Sequence, residues 1–379
     1  MAWHCGGNTV RAALWLCLPL MLLKGCGGGS GSATGDPCHA SGTGVNWAAL
    51  AQRNCPQLSD YRLLDQQGMP QDPGVRFAPP VALFTDYALK ERSVFVPPGQ
   101  QMAFQAEAPF AFPEGSVLVK TFLLPASTEG ALPHEALETR LLIFRQGRWL
   151  GLPYRWREDG SDADLRPGGA LLPREIMRAD ESVAFTYRIP DANQCGVCHQ
   201  HQGDDGQRRM QPIGLRARYL QDPLDPGGVP QMHDWAQRGL ISGVPEQFDG
   251  LLRVPSAEAT DITLAERARG YLDINCRHCH SDGGGGGLSG LRLGYEEDPG
   301  SLRYGVCKQP PGYDGGAAGL DYDIVPGDAP ASVLPYRMAH TGARDRMPPL
   351  GRSLIHEEGV ALVSDWINSL PAQDCSATP

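Results

Sequence analysis

Basic residues are too few and too scattered to form a binding stripe: 33 Lys and Arg stand against 43 Asp and Glu, for a formal charge of −10. That balance excludes a nucleic-acid partner, whose phosphates need a clustered positive face. A long apolar run is also missing. The stretch from Ala12 to Leu23, preceded by Arg11, is too short to cross a bilayer as a mature helix and reads as a signal peptide, residues 1–25. Nor does an acid/base constellation accompany Cys195–His199, the first of two cysteine motifs in the chain.

The residues after the apolar run point outward from the cytoplasm. Leu23-Lys24-Gly25-Cys26 is similar to a bacterial lipobox, with Lys24 as an unusual occupant, and lipidation at Cys26 is expected. Gly27-Gly28-Gly29-Ser30-Gly31-Ser32 is then a flexible tether holding the body off a membrane. The expected location is the periplasm or cell surface, anchored to the bacterial outer membrane. Of the 11 cysteines, Cys5 and Cys17 leave with the signal, Cys26 takes lipid, and two CxxC motifs use four. Cys38, Cys55, Cys307 and Cys375 remain, an even number in an oxidising compartment. Three pairings are open; proximity in sequence favours Cys38 with Cys55, leaving Cys307 with Cys375.

The chain has 47 Gly and 33 Pro, so it should be rich in loops. The expected fold class is α+β: a small β-sandwich or barrel-like domain over 76–190, then a mainly α, cytochrome c-like di-haem region. Residues 26–75 form the tether and a lead-in with a short helix near Trp47. Strands are expected at Arg92–Val96, Met102–Phe104, Ser116–Phe122, Thr139–Phe144, Trp149–Leu152 and Ser182–Tyr187, with a hairpin turn at Gln146-Gly147. The second half divides into a first haem segment over 191–258 and a second haem domain over 259–375. Thr263-Leu264-Ala265-Glu266 has capping-box spacing ahead of a helix into Cys276, and a last helix should run from about His356 to Leu370.

The chemistry lies in Cys195-Gly196-Val197-Cys198-His199 and Cys276-Arg277-His278-Cys279-His280. Two thiols at this spacing meet the two vinyl groups of a haem, and the His that comes next is placed under the iron. Two covalent c-type haems, with His199 and His280 as proximal ligands, are therefore expected. The competing reading is a four-thiolate zinc site from Cys195, Cys198, Cys276 and Cys279, which would not require a His after each pair. A thioredoxin-like redox pair fits less well, because it wants a single CxxC in a βαβ setting.

Met347, in Arg346-Met347-Pro348-Pro349-Leu350-Gly351, lies 67 residues after His280 and is the expected distal ligand of the second iron. For the first iron, Pro212-Ile213-Gly214 is similar to the Pro segment whose carbonyl orients a proximal imidazole. Its distal candidates are Met210, Met232 and His233, with His201 too near His199 to reach the far face, and an open site is the alternative.

From Phe84 to the C-terminus the chain resembles a bacterial family of secreted di-haem c-type cytochromes. The resemblance rests on Phe84–Lys90, Phe112–Phe122, Tyr187–Pro190 with Asn193-Gln194, Pro212-Ile213-Gly214 and Tyr271–Asn275. It continues through Gly305-Val306-Cys307-Lys308, Asp323–Gly327 and Arg346–Gly351. It implies an N-terminal β domain fused to two haem-bearing segments, with Cys307 and Cys375 placed as in the family and an anchor often present. It supplies no substrate.

The function expected is extracytoplasmic electron transfer between redox partner proteins. One alternative is a di-haem peroxidase-type enzyme with an open first iron. Another treats the β domain as a binding module, with Trp149, Tyr154 and Trp156 as its face.

Overall fold

Gln146 and Gly147 take φ of 54° and 70°, the paired left-handed conformation of a tight hairpin turn, and Arg145 pairs directly with Arg148 across it. The hairpin belongs to a computed structural model that describes residues 35–256, 259 and 261–377. The expected signal peptide, Cys26 and the glycine tether lie outside the described residues. The fold is α+β.

In chain order the elements are α1 (Trp47–Gln52), β1 (Val75–Arg76), β2 (Leu89–Phe95), β3 (Met102–Ala103), β4 (Val117–Pro125), β5 (His134–Arg145), β6 (Arg148–Trp156) and β7 (Ala163–Leu165). A ribbon comes next, β8 (Ala170–Arg178) with β9 (Glu181–Ile189). Then come α2 (Cys195–His199), β10 (Gln200–Gln202), β11 (Arg208–Met210), α3 (Gln231–Gln237), β12 (Ile241–Ser242), α4 (Leu264–Cys276), α5 (Val333–Met338) and α6 (Glu357–Ser369). Long loops with short 3-10 turns join the later elements, as the Gly and Pro content demands. Among the described residues no helix is long and apolar enough to cross a membrane.

Six strands form one antiparallel sheet in the order β1-β2-β4-β5-β6-β7. Alternation gives it two different faces. Phe95, Val117, Val119, Leu141, Ile143, Leu152 and Tyr154 point to one side and pack against the lead-in, where Leu50, Tyr61 and the Cys38–Cys55 disulfide complete a core. The other face carries Val94, Leu118, Leu142 and Gly151 in one cross-strand row and Arg92, Lys120, Arg140 and Pro153 in the next. The ribbon covers part of this second face, packing Leu172, Ile176 and Tyr187 on Phe122 and Leu124.

Strand β8 was not legible in the sequence because Pro173 interrupts it; a two-stranded ribbon tolerates a missing donor that a central strand would not. The three aromatic residues considered as a binding face are turned into the protein. Tyr154 is fully buried and donates to the Cys55 carbonyl at 2.8 Å, Trp149 packs on Phe112 and Phe144, and Trp156 donates to Thr139 at 2.9 Å.

The β half and the C-terminal segment are clasped together by the block Phe84–Lys90. Asp86 accepts from the Ser353 and Leu354 backbone at 2.6 and 2.7 Å, and Tyr87 donates to Glu358 at 2.9 Å. Phe84 stacks on His356, whose Nδ1 meets the Tyr271 hydroxyl at 3.0 Å. Burial lowers the His356 pKa to about 4, with Lys90 adding to the effect and Glu358 opposing it. The unfolded chain, with His near 6.5, takes up a proton that the folded chain refuses between those values. Stability should therefore fall as pH drops from about 6.5 to about 4, by at most roughly 1.4 kcal/mol per unit from this residue. Denaturant unfolding of wild type and His356→Phe at both ends of that window checks this: the variant should show the shallower pH slope.

Helix α4 begins with the capping box read from the sequence, Thr263 accepting from the Glu266 backbone while Glu266 accepts from Thr263. Its buried face, Ala268, Tyr271 and Leu272, meets Val363, Trp366 and Ile367 of α6. The Cys307–Cys375 disulfide closes this C-terminal core.

Candidate haem-binding centre

Among the described residues the cysteines divide evenly. Four are in disulfides, and the four left free, Cys195, Cys198, Cys276 and Cys279, are those of the two motifs. The first motif forms α2, seated on the sheet where Gly151 leaves room: a Cβ there would lie 2.8 Å from Cys195 Sγ. The second starts on the last residue of α4 and continues into a glycine run.

The two motifs meet. Ligand atoms of Cys198, His278 and Cys279 lie within 4.8 Å of one another, and Cys279 Sγ is 3.6 Å from the Val197 carbonyl. The run Gly283–Gly287 threads between them, and this is why it has no side chains. A Cβ on Gly283 would overlap His201, one on Gly284 would overlap the Cys279 carbonyl, and one on Gly286 would crowd His280 at 3.2 Å. The Gly283 carbonyl accepts from Gln202 N at 2.8 Å, tying the second motif's loop to the strand after the first. Five consecutive glycines two residues after a CxxCH motif are visible in the sequence, but only as a loop signal.

Each terminal histidine is held through one ring nitrogen. His199 Nδ1 is 2.9 Å from the Gln211 carbonyl, and His280 Nδ1 is 3.2 Å from the Ser289 hydroxyl. Such a contact sets the tautomer and orients the other nitrogen for a metal. The carbonyl beside His199 belongs to Gln211, one residue before the Pro212 segment singled out in the sequence. Burial lowers both histidine pKa values to about 4, aided at His280 by the charges of His278, Arg337, Arg292 and Lys308. Both rings are thus neutral at pH 7, as ligation requires.

Burial raises the Cys276 thiol to about 12 and moves Cys195 in the same direction. Cys198 is instead held well below its ordinary range by the Cys279 thiol and the His278 ring, which pushes Cys279 up. The donor set falls short of a four-thiolate zinc site. Cys195 lies against Gly151 and Cys276 ends α4, and neither joins the Cys198, His278 and Cys279 group. Three donors fall short of the four that structural zinc takes.

No protein-family model, curated protein or solved structure matches this chain. The reading therefore stands on the residues themselves.

A small cleft lies between the motifs, lined by Cys198, Pro212, Arg216, Tyr219, Arg277 and His278 among others. Of the residues considered for the far side of the first iron, Met210 lies beside Cys195, its Cε 3.6 Å from a Cβ built on Gly151. Met232 is fully buried in a core cluster with Phe77, Val94 and Trp235. His233 stacks on Phe248 and places Nε2 3.2 Å from the Pro245 carbonyl. Met347 is half-buried on the loop between α5 and α6. Its N–H donates to the Arg337 carbonyl at 3.0 Å, and its own carbonyl accepts from Arg352 at 2.8 Å. The Arg337 side chain stays within this segment, donating to the Asp345 carbonyl at 2.9 Å and lying over the Tyr313 ring.

Proposed function

We propose that this chain is an extracytoplasmic di-haem c-type cytochrome that carries single electrons between redox partner proteins. The observation that carries the reading is the meeting of two CxxCH motifs whose thiols alone stay unpaired among the described residues, each with its histidine fixed through Nδ1. Cys195 and Cys198 would attach one haem and Cys276 and Cys279 the other, with His199 and His280 as proximal ligands and Met347 as the distal ligand of the second. Bound haem supplies a one-electron iron couple.

The chain's own part is geometric. Contact between Cys198 and Cys279 sets the two attachment points side by side, and the glycine run between the motifs is thin enough to let them approach. Gln211 and Ser289 hold the imidazoles in one tautomer. The cytochrome c-like character of the second half, export, residence in the periplasm or at the cell surface, and anchoring through Cys26 belong to the same proposal.

A second reading, a peroxidase-type enzyme with an open first iron, draws on one observation: Met232 and His233 are engaged away from the motif. Native visible spectra separate the two, since an open site gives a high-spin iron that binds peroxide. The parent reading is tested by denaturing the mature protein and counting covalent haem from mass and the pyridine haemochrome spectrum. Two haems are expected, and one in the Cys195→Ala/Cys198→Ala variant. A wild-type protein that is colourless after denaturation ends the proposal.

A further inference from the structure

On the sheet face that meets the first motif, Arg92, Lys120 and Arg140 stand directly opposite one another on β2, β4 and β5. Lys90 lies on the same face, two residues from Arg92. Like charges in register repel, so a sheet gains nothing from this row as a packing device. Glu138, fully buried and bonded to Tyr187 at 2.7 Å, engages Arg140 at 2.5 and 2.8 Å. Among the described residues no carboxylate lies within ion-pair distance of Lys90, Arg92 or Lys120; Lys120 instead sits 4.8 Å over the Phe122 ring. Two further carboxylates are felt by the group from a distance. Glu91 acts on Arg92, but alternation turns it to the opposite face, where it pairs with Arg76 at 3.4 Å. Asp86 acts on Lys90 while already accepting two backbone N–H groups. Lys90, Arg92 and Lys120 are therefore half-buried on one face with no carboxylate in ion-pair contact.

The row is also aligned with the haem motif. Cys195 packs on Gly151 of β6, on the same face and one pleat along from the charged row. With strands about 4.8 Å apart, Lys120 and Arg92 lie roughly 10 and 14 Å across the sheet from β6. A haem carries its two propionates on the edge away from the pyrroles that take the thioether links. A porphyrin linked at Cys195 would carry its carboxylates away from the thioether edge, and the cations that lack a carboxylate partner lie on the same sheet face as Gly151, against which Cys195 packs. Burial together with the neighbouring cations lowers Lys90 to about 7 and holds Lys120 well below its usual range.

We propose that Arg92, Lys120 and Arg140, with Lys90 beside them, form a carboxylate-binding row that takes the two propionates of the haem attached at Cys195 and Cys198. The inference rests on the di-haem reading. It gives the β domain a role: it sets the charge around the first iron and raises its potential, because positive charge favours the reduced state.

The test uses the full holoprotein and the variants Lys120→Met and Arg92→Gln. Haem counting comes first: two covalent haems in each sample establish the parent reading, and a haem-free wild type fails that reading and this inference with it. Redox titration comes second, the first haem's potential being the one missing from Cys195→Ala/Cys198→Ala. Each variant should lower that potential by about the equivalent of a tenfold change in equilibrium constant, 59 mV for one electron. The second haem's potential should stay in place, and Lys120→Arg should restore the first. An unmoved first potential with both haems attached overturns the proposal. So does a wild-type potential that responds to inorganic phosphate while that of Lys120→Met does not, because the row would then be serving dissolved anions.

Discussion

If the chain carries two haems as proposed, replacing Met347 by alanine is expected to leave both attached while the iron held by His280 changes from six-coordinate low-spin to high-spin. Its potential should fall by on the order of 0.1 V, within the roughly 0.8 V that axial ligands span. The loop carrying Met347 is placed with unusual care. Arg352, only 6% exposed, donates to the carbonyls of Arg337, Met338, His340, Met347 and Leu354, so one guanidinium gathers both arms of the connection between α5 and α6. The loop should keep its course when the thioether is removed, and the change should be confined to ligation. Visible and near-infrared spectra with a redox titration read it directly; spectra and potential like those of wild type would remove Met347 from the site.

The second large effect concerns stability. Asp273→Leu should cost roughly 3–5 kcal/mol, the penalty for removing one partner of a buried ion pair. Asp273 is 1% exposed and accepts from the Tyr219 hydroxyl, from Tyr295 N at 2.7 Å and from Arg218 at 3.2 Å. Arg218 is itself 4% exposed and also pairs with Glu296, which in turn binds Arg277 of the second motif at 2.7 Å. One carboxylate therefore joins the segment after the first motif to the helix that leads into the second. Leucine would leave Arg218 buried with half its compensation gone. Denaturant unfolding measures the loss, and a change under about 1 kcal/mol would mean that Glu296 alone satisfies Arg218.

Both effects lie in short stretches singled out in the sequence, Arg346–Gly351 and Tyr271–Asn275. Asn275, the last residue of the second stretch, binds the Phe84 N–H at 2.8 Å and so reaches a third such block, Phe84–Lys90. These residues look unrelated along the chain because their partners are distant in sequence. Asp86 meets Ser353, Asn275 meets Phe84, and nothing in the local pattern of either partner announces the other.

The features that the sequence determined by itself are local. The Gln146-Gly147 turn, the Thr263 and Glu266 capping box, the apolar stripe of α6 and the spacing of each CxxCH motif depend on neighbours a few residues apart, so short-range stereochemistry specifies them. The pairing of Cys38 with Cys55 and of Cys307 with Cys375 was also within reach, once the motif cysteines were set aside.

Tertiary structure decided the rest, because it concerns side chains whose encounter is set by packing. Sheet registry put Arg92, Lys120 and Arg140 in one row, although the three lie on separate strands and nothing in any one strand announces the others. Core packing claimed Met232 and turned Trp149 and Tyr154 inward. The long path from His199 to Cys276 had to fold back, with five glycines thin enough to pass, before two separate motifs became one centre.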